Sequence, residues 1–450
     1  MSVAAPNSKE QLLVQIASYN TALQGSSGLP QDLVDWLSPT LQVSSFLSHS
    51  PRGPDIVAVG FQELLPLHLG RYPKPLQLYF TVSGASKFVI DQRSSHILSQ
   101  IEEHSPEKAK YSLLAKVVNV GIALLVYARD EGIARKVCDV QTSWTGCGPG
   151  FMGNKGAVGV RFRVSDAFDD VEQPGETYTF VCAHLTAHQQ KLQHRIADFH
   201  HIVGTLLFPA LPFSEDKSPT TIYSTSHLFF LGDLNFRIDL PKSHPMFENA
   251  WAHVSEALKE SEARETLKEF DQLLLERRKH SIFVGFREGE FWQFKCTYKH
   301  RLGDVDQYDT KRVPAWTDRI MYTTYSDSPG SLEASHIRNL LYTYIPSYTI
   351  SDHKPIVSLL LLPYVPPSNI STTGSSRPIP TIALPEFYTP KPDPLATLKR
   401  YTGRTLDRIV GVCWWLLALL GAGSTVVGVF NFIVGATAYR WWKASRSAAI

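Results

Sequence analysis

The chain has 450 residues, 43% of them hydrophobic and 19% charged. That balance excludes wholesale disorder and leaves room for one large catalytic domain with appendages, or for two average domains. The formal net charge is +2, but residues 391–450 hold eight of the 44 Lys and Arg against two of the 42 acids, leaving 36 bases and 40 acids for the first 390; a domain that neutralises a polynucleotide usually has the opposite sign, so a nucleic-acid partner is not expected.

At the N-terminus, MSVAAPNSKEQLLVQIASYN has no basic region ahead of a long apolar core, so no secretory signal is expected. Five scattered cysteines without a C-x-x-C pair fit a reducing compartment better than a disulfide framework or a zinc site, which puts the catalytic part in the cytosol. Short apolar runs at 12–18, 55–60, 117–128, 156–164, 178–183, 227–232, 319–323 and 355–362 predict strands. The charged stretch 245–280, with apolar positions at helical spacing, predicts helix. Several strands end in Asn, Glu, His or Asp, as in a sheet whose rim faces a shared cleft.

Residues 363–398 hold nine prolines among Ser and Thr, and 363–408 is read as a linker with a basic end. Asn369-Ile370-Ser371 within it is a glycosylation sequon. Residues 409–439 carry no charged side chain. That run suffices for one bilayer crossing, or for a shallow hairpin bent at Gly421-Ala422-Gly423-Ser424, and falls short of two crossings. A C-terminal transmembrane anchor with a short basic tail, 440–450, is therefore expected, Tyr439, Trp441 and Trp442 being placed for an interfacial belt.

Metal-assisted phosphoester hydrolysis needs carboxylates for a cation, a group that activates water, and donors for the charge that develops. Five separated segments offer them: Ser18-Tyr19-Asn20, Gln62-Glu63, His184-Leu185, Gly232-Asp233-Leu234-Asn235 and Ser351-Asp352-His353. Asp233 and Asn235, two apart, fall on one side of an extended chain. Singly each segment is weak, since a Glu after a strand is more often solvated and a lone His more often hydrogen-bonded in a core. Gly148-Pro149-Gly150-Phe151-Met152-Gly153 matches G-x-G-x-x-G, but its proline and its lack of a strand–helix context remove a dinucleotide role, leaving a loop beside the cleft.

The ordered set of motifs resembles the DNase I-like endonuclease/exonuclease/phosphatase superfamily, and the five alone leave nuclease and phosphatase open. Phe294-Lys295-Cys296-Thr297-Tyr298-Lys299 and Arg312-Val313-Pro314-Ala315-Trp316-Thr317-Asp318-Arg319-Ile320 are similar to the F-x-P-T-Y-K and R-x-P-A-W-[CT]-D-R-[IV] signatures of the inositol polyphosphate 5-phosphatases. Phe286-Arg287-Glu288-Gly289 and Asn154-Lys155-Gly156-Ala157-Val158 match accompanying blocks, so the resemblance covers about residues 12–362 within a catalytic domain of 1–362. Cys296 stands where proline is usual and Cys182 where asparagine is common, which bears on local loop shape.

The resemblance implies an α/β fold, a four-layer α/β/β/α sandwich of two facing mixed sheets. It implies Mg²⁺-dependent removal of the 5-phosphate from phosphatidylinositol 4,5-bisphosphate, with a nuclease or a phosphatase of soluble inositol phosphates as alternatives. Residue by residue, Glu63 would ligate Mg²⁺ with Asn20 and Asp352 near it. Asp233 would orient and deprotonate water, and Asn235 would donate to the phosphoryl oxygens. His353, paired with Asp318, and His184 would face the phosphate. Tyr298, Lys299 and Arg312, with Lys311 and Lys155, would bind substrate phosphates. The layout most resembles the fungal tail-anchored phosphatidylinositol 4,5-bisphosphate 5-phosphatases, implying the endoplasmic reticulum membrane. The basic segment 399–408 could also touch anionic headgroups.

Overall fold

The computed structural model describes residues 11–22, 36–48, 52–64, 82–165, 175–211, 214, 216–330, 334–363, 379–419 and 425–447. The Asn369 sequon and Gly421-Ala422-Gly423-Ser424 lie outside the described residues. Strands β1 (Leu13–Asn20), β2 (Ile56–Gln62), β3 (Tyr111–Asn119), β4 (Ile122–Arg129), β5 (Val137–Gly146) and β6 (Gly156–Ser165) are followed by β7 (Gly175–His184), β8 (His227–Asp233), β9 (Arg287–Glu288), β10 (Asp318–Thr324), β11 (Arg338–Tyr344) and β12 (Ile356–Leu361). Helices are α1 (Ser38–Ser48), α2 (Val82–His104), α3 (Leu192–Thr205), α4 (Ala250–Ala257), α5 (Ser261–Leu267), α6 (Gln272–Arg278), α7 (Ala396–Leu419) and α8 (Thr425–Ser447). The strands form two six-stranded sheets, ordered β11-β12-β1-β2-β4-β3 and β5-β6-β7-β8-β10-β9.

Side-chain alternation makes the layers. On β2, Ile56 and Ala58 point into the core between the sheets, while Val57, Val59 and Phe61 point outward to meet Trp36, Leu41 and Ile90, Ile97 and Ile101 of α2. On β7, Phe180 and Cys182 face inward, whereas Val181 and Ala183 pack against Phe199, Ile202 and Val203 of α3. Strands covered on both faces read as near-continuous apolar runs, which is why the central ones stood out in the sequence. Both sheets are mixed, and the result is the expected α/β/β/α sandwich.

Topology then fixes the rim. β1 runs parallel to β2 with Asn20 opposite Gln62, and β7 parallel to β8 with His184 opposite Asp233. β10 lies antiparallel to β8, setting Asp318 opposite Asp233, and β12 lies antiparallel to β1. The C-terminal ends of β1, β2, β7 and β8 and the N-terminal ends of β10 and β12 therefore share one edge of the sandwich.

Four expectations need correction. The run 117–128 is two strands, because Val120 (φ 53°) takes the left-handed backbone that, with Gly121, reverses the chain between β3 and β4. The stretch 245–280 is three short helices; the last begins where the Asp271 side chain accepts from Leu274 N–H (2.9 Å). The proline-rich segment is not a free linker over 379–395: Ile382 N–H donates to Thr225 O (2.9 Å), Ser226 Oγ to Pro380 O (2.6 Å), and Leu384 and Tyr388 pack on the apolar cluster outside the second sheet. Finally, no helix among the described residues is long and apolar enough to cross a membrane. Of the uncharged run, 409–419 belong to α7, whose first half is charged, and 425–439 to α8, a division that the hairpin alternative anticipates and a single spanning helix does not.

Below the rim, the second sheet is pinned by a buried ionic group. Arg319 on β10, with no exposed surface, donates to Glu288 Oε1 and Oε2 (2.6 and 2.7 Å) and to Asp271 Oδ1 (3.0 Å). Removing the guanidinium would leave two carboxylates buried beside one another. Arg319→Met is expected to cost about 3–5 kcal/mol, read from the urea unfolding midpoint; an unshifted midpoint would show that the group contributes nothing to stability.

Candidate active site

Each polar group at the rim is placed by the end of a strand. Gly232 sits where β8 approaches β7 so closely that any Cβ would overlap Ala183 O, and its φ of +136° is one that side-chain-bearing residues avoid; Asp233 follows immediately. Glu63 (φ 52°), directly after β2, and Asn235 (φ 57°), two residues past the end of β8, hold left-handed backbone, which swings their side chains off the strand axis.

Asp233 is the hub. Its carboxylate accepts from Asn20 Nδ2 (2.9 Å), Asn235 Nδ2 (3.0 Å) and Asn235 N–H (3.0 Å). His184 Nε2 lies 3.3 Å and His353 Nε2 3.9 Å from Oδ2. Burial alone would raise the Asp233 carboxyl, but His353, His184 and Lys155 together hold it well below the usual carboxylate range. His353 Nδ1 is 2.9 Å from Asp318 Oδ2, which also accepts from the hydroxyls of Thr297 (2.7 Å) and Thr317 (2.9 Å). Against the burial that lowers it, the Asp318 and Asp233 carboxylates raise the His353 imidazole to about 9, so it carries a proton at neutral pH.

The structure thus brings together Asn20, Glu63, His184, Asp233, Asn235, Asp318 and His353. The Lys155 ammonium contacts His184 Nε2, and burial pulls it below its ordinary value despite Asp233 and Glu63.

Asp352, expected near the cation, stands beside Lys299. Its carboxylate pairs with the Lys299 ammonium, and although burial opposes it, His353 and Lys299 hold it in the anionic form. It stands on the side of Lys299 because it follows Ser351, whose hydroxyl is tied to Asn20 O (2.8 Å). Tyr298 lies with its ring 4.4 Å from that of His353. Arg312 is exposed near His188, where its charge helps hold the imidazole below its ordinary value after burial. Lys311 is exposed too, its backbone N–H donating to Asp309 Oδ1 (2.8 Å), and it makes no contact with the cluster among the described residues.

Arg237 was missed. Its guanidinium donates to Asn235 Oδ1, stacks 4.4 Å over the Tyr298 ring, and so joins the Gly232–Arg237 segment to Tyr298. Its position two beyond Asn235 was the available signal. Thr297 and Thr317 were visible only as parts of longer motifs. Of the two departures from the family pattern, Cys182 is buried under the rim with Gln62 Nε2 donating to its sulfur (3.1 Å). Cys296 is buried in the core, its carbonyl accepting from His300 and Tyr308 (both 2.9 Å).

Two groups of donors could hold a cation. Asp233, Asp318 and His353 bring one ligand atom each within 4.8 Å of one another. There Asp318 Oδ2 already accepts three donors while its Oδ1 is buried without a hydrogen-bond partner, but a protonated His353 imidazole is no ligand and its charge opposes a cation beside it. Glu63 fits better. Its carboxylate is partly exposed in the cleft, has His184 Nε2 at 3.5 Å, and forms no ion pair with Lys or Arg among the described residues. Beside it Asn20 turns its amide nitrogen to Asp233, which leaves Oδ1, accepting from Ala22 N–H (3.0 Å), as the remaining oxygen. An all-oxygen pair with a carboxylate is the donor chemistry of Mg²⁺ and Ca²⁺.

Two facing mixed sheets with this rim define a DNase I-like α/β fold. The chain belongs to the Endonuclease/Exonuclease/phosphatase family 2, whose model matches residues 17–359. It is 30% identical to synaptojanin-2 of Rattus norvegicus over 353 residues, 73% of this chain and 21% of the relative. With the type II inositol 1,4,5-trisphosphate 5-phosphatase of Mus musculus it shares 31% identity over 331 residues, 72% of this chain and 28% of the relative. The match therefore spans between a fifth and a third of these relatives' lengths. Among solved structures, the inositol polyphosphate 5-phosphatase domain of SPsynaptojanin, in complex with inositol (1,4)-bisphosphate and calcium ion, aligns with a TM-score of 0.56 and 25% identity over 78% of this chain and 84% of that one.

Calorimetric titration with Mg²⁺ and Ca²⁺ tests the cation assignment. Glu63→Gln is expected to weaken binding at least about tenfold, and Asp352→Asn to change it less than about threefold. The reverse order would return Asp352 to the cation.

Proposed function

We propose that the chain hydrolyses the 5-phosphate of phosphatidylinositol 4,5-bisphosphate, giving phosphatidylinositol 4-phosphate, in a Mg²⁺-dependent reaction at a membrane surface. The observation that carries this reading is the convergence at one rim of Glu63, Asp233, Asn235 and the His353–Asp318 pair beside the basic and aromatic side chains of Tyr298, Lys299 and Arg237. The neighbour's ligand supports it, since inositol (1,4)-bisphosphate is what a 1,4,5-trisphosphate becomes on losing its 5-phosphate, and its calcium ion supports a hard-cation site.

Asp233 orients a water for in-line attack and takes its proton as the new P–O bond forms and the bond to the inositol 5-oxygen breaks, that oxygen leaving as the alcohol with a proton from solvent; a carboxylate held so firmly anionic acts first as an aligner, and gains basicity when a phosphate's charge enters beside it. Asn235 donates to the phosphoryl oxygens, its amide orientation fixed by Arg237. The protonated His353 offsets the charge that spreads over those oxygens, and His184 and Lys155 stand on the other side. Mg²⁺ held by Glu63 and Asn20 would polarise the scissile phosphate. Asp352 serves here as the partner of Lys299, which with Tyr298 and Arg312 receives the 4-phosphate.

Membrane attachment is assigned to the apolar halves of α7 and α8, in place of one spanning helix. Ile409 and Val410 on α7 and Val429, Phe430, Phe432, Ile433 and Val434 on α8 are exposed, apolar surface that water disfavours and an acyl-chain boundary accepts. Arg400 and Arg404 turn toward the protein and are not counted as headgroup contacts. The endoplasmic reticulum as address rests on the likeness of layout.

Phosphate release from vesicles carrying phosphatidylinositol 4,5-bisphosphate, run beside plasmid nicking with and without Mg²⁺, tests the reading. Asp233→Ala is expected to lower turnover by roughly 10²–10⁴. Lys299→Ala is expected to raise KM severalfold more for a 4,5-bisphosphorylated lipid than for the 5-phosphate alone. Nicking without phosphate release would replace this function with a nuclease.

A further inference from the structure

Outside the cleft, the first turns of α7 pack closely on the Gly148–Gly153 turn, a contact that the proposed reaction does not use. Asp393 starts the helix: its side chain accepts from Leu395 N–H (2.8 Å) and its carbonyl from Ala396 N–H (3.0 Å). The residues that follow lie along β5 and the turn. The Arg404 guanidinium sits 3.7 Å over the Trp144 ring and Arg400 4.7 Å from it, with Tyr401 edge-on at 6.2 Å. Lys399, paired with Asp393, lies 5.6 Å from the Phe151 ring. At Gly403 the helix touches the turn so closely that a Cβ would overlap Phe151 O. Leu406 covers Gly150, and Asp407 Oδ2 accepts from Gly153 N–H (3.0 Å).

The covered turn is the stalk of an active-site group. It closes on itself through Gly148 N–H to Met152 O (2.9 Å) and Cys147 N–H to Lys155 O (2.7 Å), and two residues past Gly153 comes Lys155, whose ammonium touches His184. Phe151 is stacked on His201 of α3 (5.3 Å) on its inner side, so α3 and α7 grip the turn between them. Gly150 presents no side chain to Leu406 of α7, and the helix answers with its own Gly403 and with a carboxylate aimed at the Gly153 N–H; the bare side of Gly153 faces Asn119 and Val120 instead.

We propose that the first turns of α7 form a positioning element that holds Lys155 in register with His184, and that Asp407 and Gly403 are its positioning residues. Resting on the phosphatase reading above, the assignment makes the segment leading into the apolar C-terminus part of the catalytic apparatus. A bare tether could be cut away without effect; this helix could not.

The test uses the full chain with Asp407→Leu, Gly403→Val and Asp407→Asn, read by amide exchange and by steady-state kinetics on a soluble inositol 4,5-bisphosphorylated substrate, which takes membrane binding out of the measurement. In Asp407→Leu and Gly403→Val, exchange across 148–155 is expected to rise at least about tenfold while the 356–361 peptide keeps its protection, and kcat to fall about tenfold with KM changed less than about threefold. Asp407→Asn keeps an acceptor for Gly153 N–H and is expected to stay within about twofold of the parent in both readouts. Unchanged exchange at 148–155 would overturn the clamp; loosening without loss of kcat would overturn its link to Lys155. A parent chain inactive on every inositol phosphate would defeat the phosphatase reading instead, with the exchange comparison still deciding the clamp.

Discussion

Two carboxylates, Asp233 and Asp318, are set opposite one another on neighbouring antiparallel strands and buried together. Left alone, such a pair would take up protons or force the strands apart. Here a histidine from a third segment enters between them, its Nδ1 on Asp318 and its Nε2 toward Asp233. Charge compensation at this point needs β8, β10 and the start of β12 in one register, and hence both sheets face to face. Asn20, reaching from the first sheet to Asp233 in the second, closes the same circuit. The rim is where the two halves of the sandwich are held together electrostatically as well as by packing.

That constraint accounts for what the sequence disclosed. Residues at the ends of buried strands were legible because an apolar run marks each strand and the polar residue after it has nowhere to go but the rim. Asp318 and His353, 35 residues apart, could be paired only through the family resemblance; spacing gives no hint of it. Asp352 depends on its neighbours in the fold. Only the family resemblance put it near the cation; in the fold, Ser351 is bound to Asn20 O and Asp352 meets Lys299. Arg237 went unnoticed because an arginine after a strand end is common, and its meaning lies in a ring, Tyr298, far along the chain.

The C-terminal segment misled for a different reason. Proline-rich composition usually means an extended spacer, but Asp393-Pro394 is also how a helix begins, and Ile382, Leu384 and Tyr388 carry enough apolar surface to settle on the second sheet's outer face. Composition averaged over 36 residues hid both. The hydrophobic run was recognisable as such, and the alternative of a hairpin bent at 421–424 matches its division between α7, which ends at Leu419, and α8, which begins at Thr425.

Helix α7 runs without a break from Ala396 to Leu419, 24 residues or about 36 Å along its axis. Its polar beginning is keyed to the domain and its far end is apolar, so the domain's heading relative to whatever surrounds that end is inherited from helical phase. Each residue added or removed past Arg408 would swing everything beyond by about 100° while lifting it only about 1.5 Å. Reach and azimuth are thus geared to each other, and only changes of near-whole turns alter one without disturbing the other. A coiled leash of equal length would impose no such rule.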